Sequence, residues 1–163
     1  MQRPRELALD TNLLLDLAGE KDWAHDFRER FLEAGYTLLA PPAVVEEMGW
    51  LELHGTEREQ RLAGAGFDQL EEWEIGFFEM VPAEDEMARR FSRRLIHRGL
   101  LPPEEKNDGR ILGQTACARI PILVTSDHHL LHLDEAVLRL AFGEAELLPV
   151  MPVHPRGLLR VLR

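Results

Sequence analysis

Two short apolar runs in this chain end in aspartate. Leu7-Ala8-Leu9 leads into Asp10, and Ile122-Leu123-Val124-Thr125-Ser126 leads into Asp127. If both runs are parallel strands, the two carboxylates emerge at one edge of a sheet, the edge beyond which open α/β sheets bind ligands. Two further acids can reach that edge from helices. One is Glu46 or Glu47, within Pro41-Pro42-Ala43-Val44-Val45-Glu46-Glu47-Met48; the other is Asp108, within Asn107-Asp108-Gly109-Arg110-Ile111-Leu112-Gly113-Gln114. Four carboxylates gathered from distant sequence repel one another, and a hard divalent cation relieves that repulsion by taking oxygen ligands. The chemistry this points to is cation-activated water attacking a phosphodiester. Each acid also has a plain structural alternative. Asp10 and Asp108 can cap helices, and Asp127 can sit in a turn. With 29 acids in 163 residues, it is the set of four at one edge that favours chemistry.

The elements that must position these residues follow from apolar periodicity and from the prolines between periodic segments. Strands are expected at 6–9, 36–40, 77–81, 121–125 and, more weakly, 147–151. Helices are expected at 11–17, 22–34, 42–54, 66–76, 83–98, 107–119, 134–141 and 156–162. Short apolar strands alternating with helices signal a parallel sheet covered on both faces. No repeat, low-complexity tract or linker divides the chain, so residues 1–163 are read as a single domain.

Composition narrows the class. The chain is 45% apolar and 29% charged, with one cysteine, Cys117. An internal disulfide is therefore excluded, and a reduced, cytoplasmic setting fits better than a secreted one. No apolar run reaches the ~20 residues of a membrane span. The formal charge of −10 argues against binding duplex nucleic acid through the whole surface. The charge is uneven, however. Residues 41–86 hold 13 acids and two arginines, net −11, and the remainder sums to about +1. A local basic surface is thus still available.

The acidic segments carry a resemblance. Leu9-Asp10-Thr11-Asn12-Leu13-Leu14-Leu15-Asp16 resembles the opening motif of PIN-domain ribonucleases. The segment 41–48 resembles their second motif, with Glu47 as its acid and Glu46 the alternative if the register slips by one. Segment 107–116 resembles the third motif, with Asp108 as the acid, and Val124-Thr125-Ser126-Asp127 the fourth. Residues 151–159 resemble a Pro-initiated closing helix of some toxin branches, so the match runs over nearly the whole chain. The resemblance implies a three-layer α/β/α sandwich with a central parallel sheet of four to five strands. It implies a Mg²⁺- or Mn²⁺-dependent endoribonuclease acting on single-stranded RNA, with Asp10, Glu47, Asp108 and Asp127 holding the metal. Thr11, Asn12, Thr125 and Ser126 would support that pocket, Asn12 by positioning Asp10 or a water. Many such proteins are toxins neutralised by a small antitoxin protein, and many form homodimers. Family members often carry another aspartate three residues after the last acid; here that residue is Leu130.

Two competing functions are weighed against this one. A catalytically silent PIN-like module serving protein contact would account for the −11 segment and for Leu130. A phosphatase of the haloacid dehalogenase type needs an aspartate two residues after the first, where this chain has Asn12.

The remaining features have bland readings beside sharper ones. Arg90, Arg93 and Arg94 share a helix face with His97 and could meet phosphate, as could Arg110, but acids first and bases last also suit the helix dipole. The tail adds Arg156, Arg160 and Arg163 without acids. His128 and His132 have i, i+4 spacing that can bind zinc, although no HExxH accompanies them. Trp23, Trp50, Trp73 and Tyr36 read as packing rather than as a stacking platform. Leu14, Leu17, Phe27 and Phe31 read as core or as a dimer face, and Cys117 reads as a buried thiol.

Overall fold

The structure, a computed structural model, describes residues 5–162. Arg163 of the basic tail lies outside the described residues. In chain order the elements are β1 (Glu6–Leu9), α1 (Thr11–Ala18), α2 (Asp22–Glu33), β2 (Thr37–Ala40), α3 (Pro42–His54), α4 (Glu57–Gln69), β3 (Ile75–Phe77) and α5 (Pro82–His97). A single 3-10 turn at Pro103–Glu105 then leads into α6 (Lys106–Cys117), β4 (Ile122–Val124), α7 (His128–Leu131), α8 (Glu135–Glu144), β5 (Met151–Val153) and α9 (Pro155–Val161).

All strand pairs are parallel, in the order β3-β2-β1-β4-β5. The chain builds outward from β1 to β3, then crosses back to β4 and β5. Strand order therefore reverses between β1 and β4, which opens a crevice at their carboxyl ends. The strands read as continuous apolar runs because both faces are covered. Leu7, Ala8, Leu9, Leu38, Leu123 and Val124 are at most 1% exposed. This is the three-layer α/β/α architecture expected, with five strands. Helices α1, α2 and α4 pack in one group with α9 on α2, and α5, α6 and α8 in another; α3 touches both, meeting α4 and α6.

Three elements differ from expectation. The helix expected at 66–76 is α4, which begins at Glu57. Thr56 and Glu59 form a reciprocal capping box there, Glu59 N–H donating to Thr56 Oγ1 and Thr56 N–H to Glu59 Oε1; this is a start signal in plain sequence view. The third strand is Ile75–Phe77 rather than 77–81. Ile75 is buried, while Phe77 at the strand end and Val81 are 55% and 56% exposed, so residues 78–81 of the expected strand lie off the sheet. The last strand is Met151–Val153 rather than 147–151, held in register by pairing of Ile122 with Met151 and Val124 with Val153. Leu14, Leu17, Phe27 and Phe31 are all buried in the core, so they do not supply a dimer face. Among the described residues no helix is long and apolar enough to cross a membrane.

Helix α6 is unusual in being buried along its length, from Asp108 through Ala116. It fits because α5 approaches it closely over glycine. A Cβ on Gly113 would stand 2.6 Å from Ala88 Cα and 2.9 Å from its Cβ. At Gly109, Ser92 occupies the corresponding space, and its hydroxyl donates to the Lys106 carbonyl. Phe91 of α5 stacks on Phe142 of α8 with ring centroids 4.4 Å apart. Gly113→Ala should therefore destabilise the protein by about 1–3 kcal/mol, overpacking outweighing the gain in helix propensity. Thermal unfolding should show a Tm several degrees lower, and an unchanged or raised Tm would show that α5 can retreat.

Candidate metal centre

The reversal point of the sheet brings two aspartates together by strand geometry alone. Ala8 and Leu9 pair with Leu123 and Val124, and Asp10 continues the register by donating its N–H to the Val124 carbonyl at 3.0 Å. Asp10 thus lies beside Thr125, two residues before Asp127. Helix α6 adds Asp108 from its first turn. Carboxylate oxygens of Asp10, Asp108 and Asp127 all lie within 4.8 Å of one another.

Hydrogen bonds fix both oxygens of Asp10 and one of Asp127. Asp10 Oδ1 accepts from Thr11 N–H at 2.8 Å, and its Oδ2 accepts from Thr125 Oγ1 at 2.7 Å. Thr125 Oγ1 in turn accepts from Asp127 N–H at 3.0 Å. Asp127 Oδ1 accepts from His129 N–H at 2.8 Å, so Asp127 also caps α7. Asp108 differs from these. Its Oδ2 is buried and receives no hydrogen bond, an arrangement that costs about 1–3 kcal/mol or more for a charged group.

Glu47 stands at the edge of this group. Its Oε2 accepts from Thr11 Oγ1 at 2.7 Å and from Asn107 Nδ2 at 2.8 Å. Glu46, one residue away, points elsewhere and joins Arg110. Of the two acids offered by the second motif, Glu47 is the one beside the pocket. The hydrogen bonds that hold Asp10 come from Thr11 and Thr125. Ser126 turns its hydroxyl to Asp16 Oδ2 at 2.7 Å rather than to the carboxylates. Asn107 was legible in sequence only as a helix cap, although its place beside Asp108 in the third motif is the signal that marks it.

The electrostatics record the crowding. Burial pushes the Asp10 carboxyl up to about 7; the Thr125 hydrogen bond opposes this, and the charges of Glu47 and Asp127 add to it. Burial also raises Asp108, reinforced by Asp10 and by nearby Glu105 and Asp127, and it raises Glu47 against the pull of its two donors. Among the described residues no lysine or arginine pairs with any of the four acids. The donor set is all oxygen, dense in negative charge, with one buried oxygen unclaimed. That set suits a hard divalent cation such as Mg²⁺ or Mn²⁺.

The expected phosphate-contacting arginines are placed otherwise. Arg110 is buried between Asp85, at 2.8 Å, and Glu46. Burial alone would lower its pKa, but the two acids outweigh that and raise it, while Asp85 is held well below the usual carboxylate range by Arg110. Gln114 Nε2 donates to the same Asp85 at 2.8 Å, and its Oε1 accepts from Ala43 N–H at 2.9 Å. This buried set locks α3, which carries Glu47, to α6, which carries Asp108. Arg110, expected to meet phosphate, is held here by the carboxylates of Asp85 and Glu46. Arg90 and Arg93 share Glu86 of α5, and Arg94 pairs with Glu144 of α8, so each arginine of the expected stripe already has a carboxylate partner. His128 and His132 have ring centroids 5.7 Å apart; among the described residues the group of three or more side chains that could hold a metal ion is the acid triad. Cys117 is half-buried, and burial raises its thiol pKa.

A carboxyl whose folded pKa is raised binds its proton more tightly in the native state, so native stability falls as pH climbs past the unfolded value. For Asp10 that window runs from 3.8 to about 7, and Asp108 extends it upward. The metal-free protein should therefore lose Tm between pH 5 and 8, and millimolar Mn²⁺ should restore it at the upper end. Asp108→Asn should flatten the metal-free pH slope and abolish the Mn²⁺ effect. A Mn²⁺ shift that survives this substitution would remove Asp108 from the ligand set.

No family model matches the chain, and no curated protein matches it in sequence. Among solved structures it is similar to VapBC2 from Rickettsia felis, determined bound to a DNA fragment from the promoter of that pair. The two align with a TM-score of 0.62 at 14% identity, over 91% of this chain and 98% of the other. The chain therefore has the VapC-like PIN fold that its four acidic motifs imply.

Proposed function

We propose that the chain is a divalent-cation-dependent endonuclease that hydrolyses phosphodiester bonds in single-stranded RNA. The observation that carries this reading is the buried, unpartnered Oδ2 of Asp108, within a cluster that draws two more carboxylates to within 4.8 Å. Asp10, Asp108 and Asp127 are its inner ligands. A cation bound there neutralises these charges and supplies water activated for attack on phosphorus. Thr11 and Thr125 hold both oxygens of Asp10 in place, so its geometry is set before substrate arrives. Glu47 uses Oε2 for Thr11 and Asn107, which leaves its other oxygen to serve as a fourth ligand or as an acceptor for a proton from water. Rigid elements carry all four acids, and the Arg110–Asp85–Gln114 lock keeps the spacing between Glu47 and Asp108.

The shared fold supports a further step: the chain is the toxin of a toxin–antitoxin pair, held in check by a small protein partner and acting in the cytoplasm. The VapBC2 assembly offers the precedent. The competing reading, a silent module for protein contact, needs Asp108 to keep its proton among the neighbouring acids, whereas a cation would relieve the same crowding with all of them ionised.

Asp10→Asn and Asp127→Asn should each reduce Mn²⁺-dependent cleavage of a single-stranded RNA by at least about a hundredfold, the scale of losing a group that stabilises transition-state charge. Circular dichroism should show the fold retained. Cleavage at wild-type rate in both variants would refute the nuclease assignment. Failure of the wild type to bind Mn²⁺ at millimolar concentration would favour the silent module.

A further inference from the structure

One cluster near the carboxylates has no part in holding them. His154 follows β5 directly, and β5 is the neighbour of β4, so His154 stands at the same sheet edge as Asp127. Its ring lies 5.0 Å from that of Trp23, at the start of α2. Lys21 Nζ and Arg156 Cζ each lie 5.7 Å from the centre of the Trp23 ring. Contacts connect this cluster to the acid pocket. Lys21 pairs with Asp16 at 3.2 Å, Asp16 accepts from Ser126 Oγ at 2.7 Å, and Ser126 precedes Asp127 in the chain. Two strand spacings, roughly 10 Å, separate the end of β5 from that of β1, a distance within reach of an adjoining nucleotide.

We propose that Trp23, His154, Lys21 and Arg156 form a shelf for one unpaired nucleotide of a single-stranded RNA, the base lying on the aromatic pair and its phosphates meeting the two cations. The assignment rests on the nuclease reading above and gives that site a means of holding its substrate.

What distinguishes this surface from α5 and from Arg110 is an arginine at an aromatic ring, Arg156 beside Trp23, with no carboxylate partner among the described residues. Every arginine of α5 has a carboxylate partner, and Arg110 is buried. Among the described residues no carboxylate pairs with Arg156 or Arg160. The acid that meets the shelf is Asp16, already engaged by Lys21 and Ser126. His154 accepts the Arg156 N–H through Nδ1 at 3.1 Å, which fixes its ring beside Trp23. Burial lowers its pKa, as do nearby Arg156, His128 and Arg160, with Asp16 opposing. Positive groups therefore surround the aromatic pair on a protein whose net charge is −10. Aromatic rings flanked by cations bind unpaired bases through stacking worth about 1–3 kcal/mol each, with little preference for sequence.

The test is fluorescence anisotropy of a short labelled single-stranded RNA titrated with the full chain in EDTA, where cleavage is silent. Trp23→Ala should raise Kd about tenfold, and Trp23→Phe should retain most of the affinity. Arg156→Gln should weaken binding and reduce the slope of log K against log salt by roughly 0.7, one phosphate contact on a single strand. With Mn²⁺ present, Trp23→Ala and Arg156→Gln should raise KM and leave kcat unchanged, while Trp23→Phe should keep KM near the wild-type value. If Trp23→Ala does not fold, Arg156→Gln and its salt slope carry the test. Wild-type Kd in both Trp23→Ala and Arg156→Gln would overturn the shelf, as would equal affinity for the same sequence in duplex form. RNA binding that depends on Trp23, in a wild-type chain that cleaves nothing, would sustain the shelf and sink the nuclease reading alone.

Discussion

Repulsion among carboxylates at the point where strand order reverses is the constraint around which the rest of this molecule is arranged. Asp10 and Asp127 arrive there because β1 and β4 are neighbours in register, and neither aspartate can leave without breaking that pairing. Asp108 arrives on a helix buried for most of its length. Such proximity is unfavourable in an empty pocket, and the surroundings answer it only in part. Thr11, Thr125 and backbone N–H groups serve Asp10, while one oxygen of Asp108 is left with nothing. A fold that keeps this arrangement stores free energy which a cation bound there would release, so on the proposed reading occupancy of the pocket and stability of the whole chain would be thermodynamically linked.

The buried polar lock between α3, α5 and α6 is the second consequence. Helix α6 has no solvent-facing stripe, so its polar side chains must be satisfied internally. Arg110 and Gln114 do this by joining Asp85, Glu46 and the Ala43 N–H. The close approach of α5 over Gly109 and Gly113 keeps these partners in range. Packing and polar satisfaction therefore act on the same helix pair, and the separation of Glu47 from Asp108 follows from both.

Much of this was legible in the residues. The strand ends at Asp10 and Asp127, the proline-led helix bearing Glu47 and the helix start at Asp108 all follow from local pattern. The edge strands were less so. Ile75-Gly76-Phe77 carries too few apolar residues to stand out from the longer run beside it, and β5 is fixed by its pairing with β4 rather than by its own composition. The fate of individual polar side chains was the least legible. Whether Arg110 meets solvent or Asp85, or whether Trp23 is core or shelf, depends on which distant elements become neighbours, and no periodicity reports that. The same holds for Glu46 and Glu47, adjacent acids that the helix turns in different directions.

Leu130 shows how tightly the ground beside the carboxylates is already used. It lies on the short helix that Asp127 caps, and its side chain is 1% exposed within the core. A carboxylate at that position would bury a charge in hydrocarbon. The four-residue α7 thus has two duties, its first turn anchoring Asp127 and its third residue filling the interior, so a change of side chain on the inner face would be felt at the sheet edge.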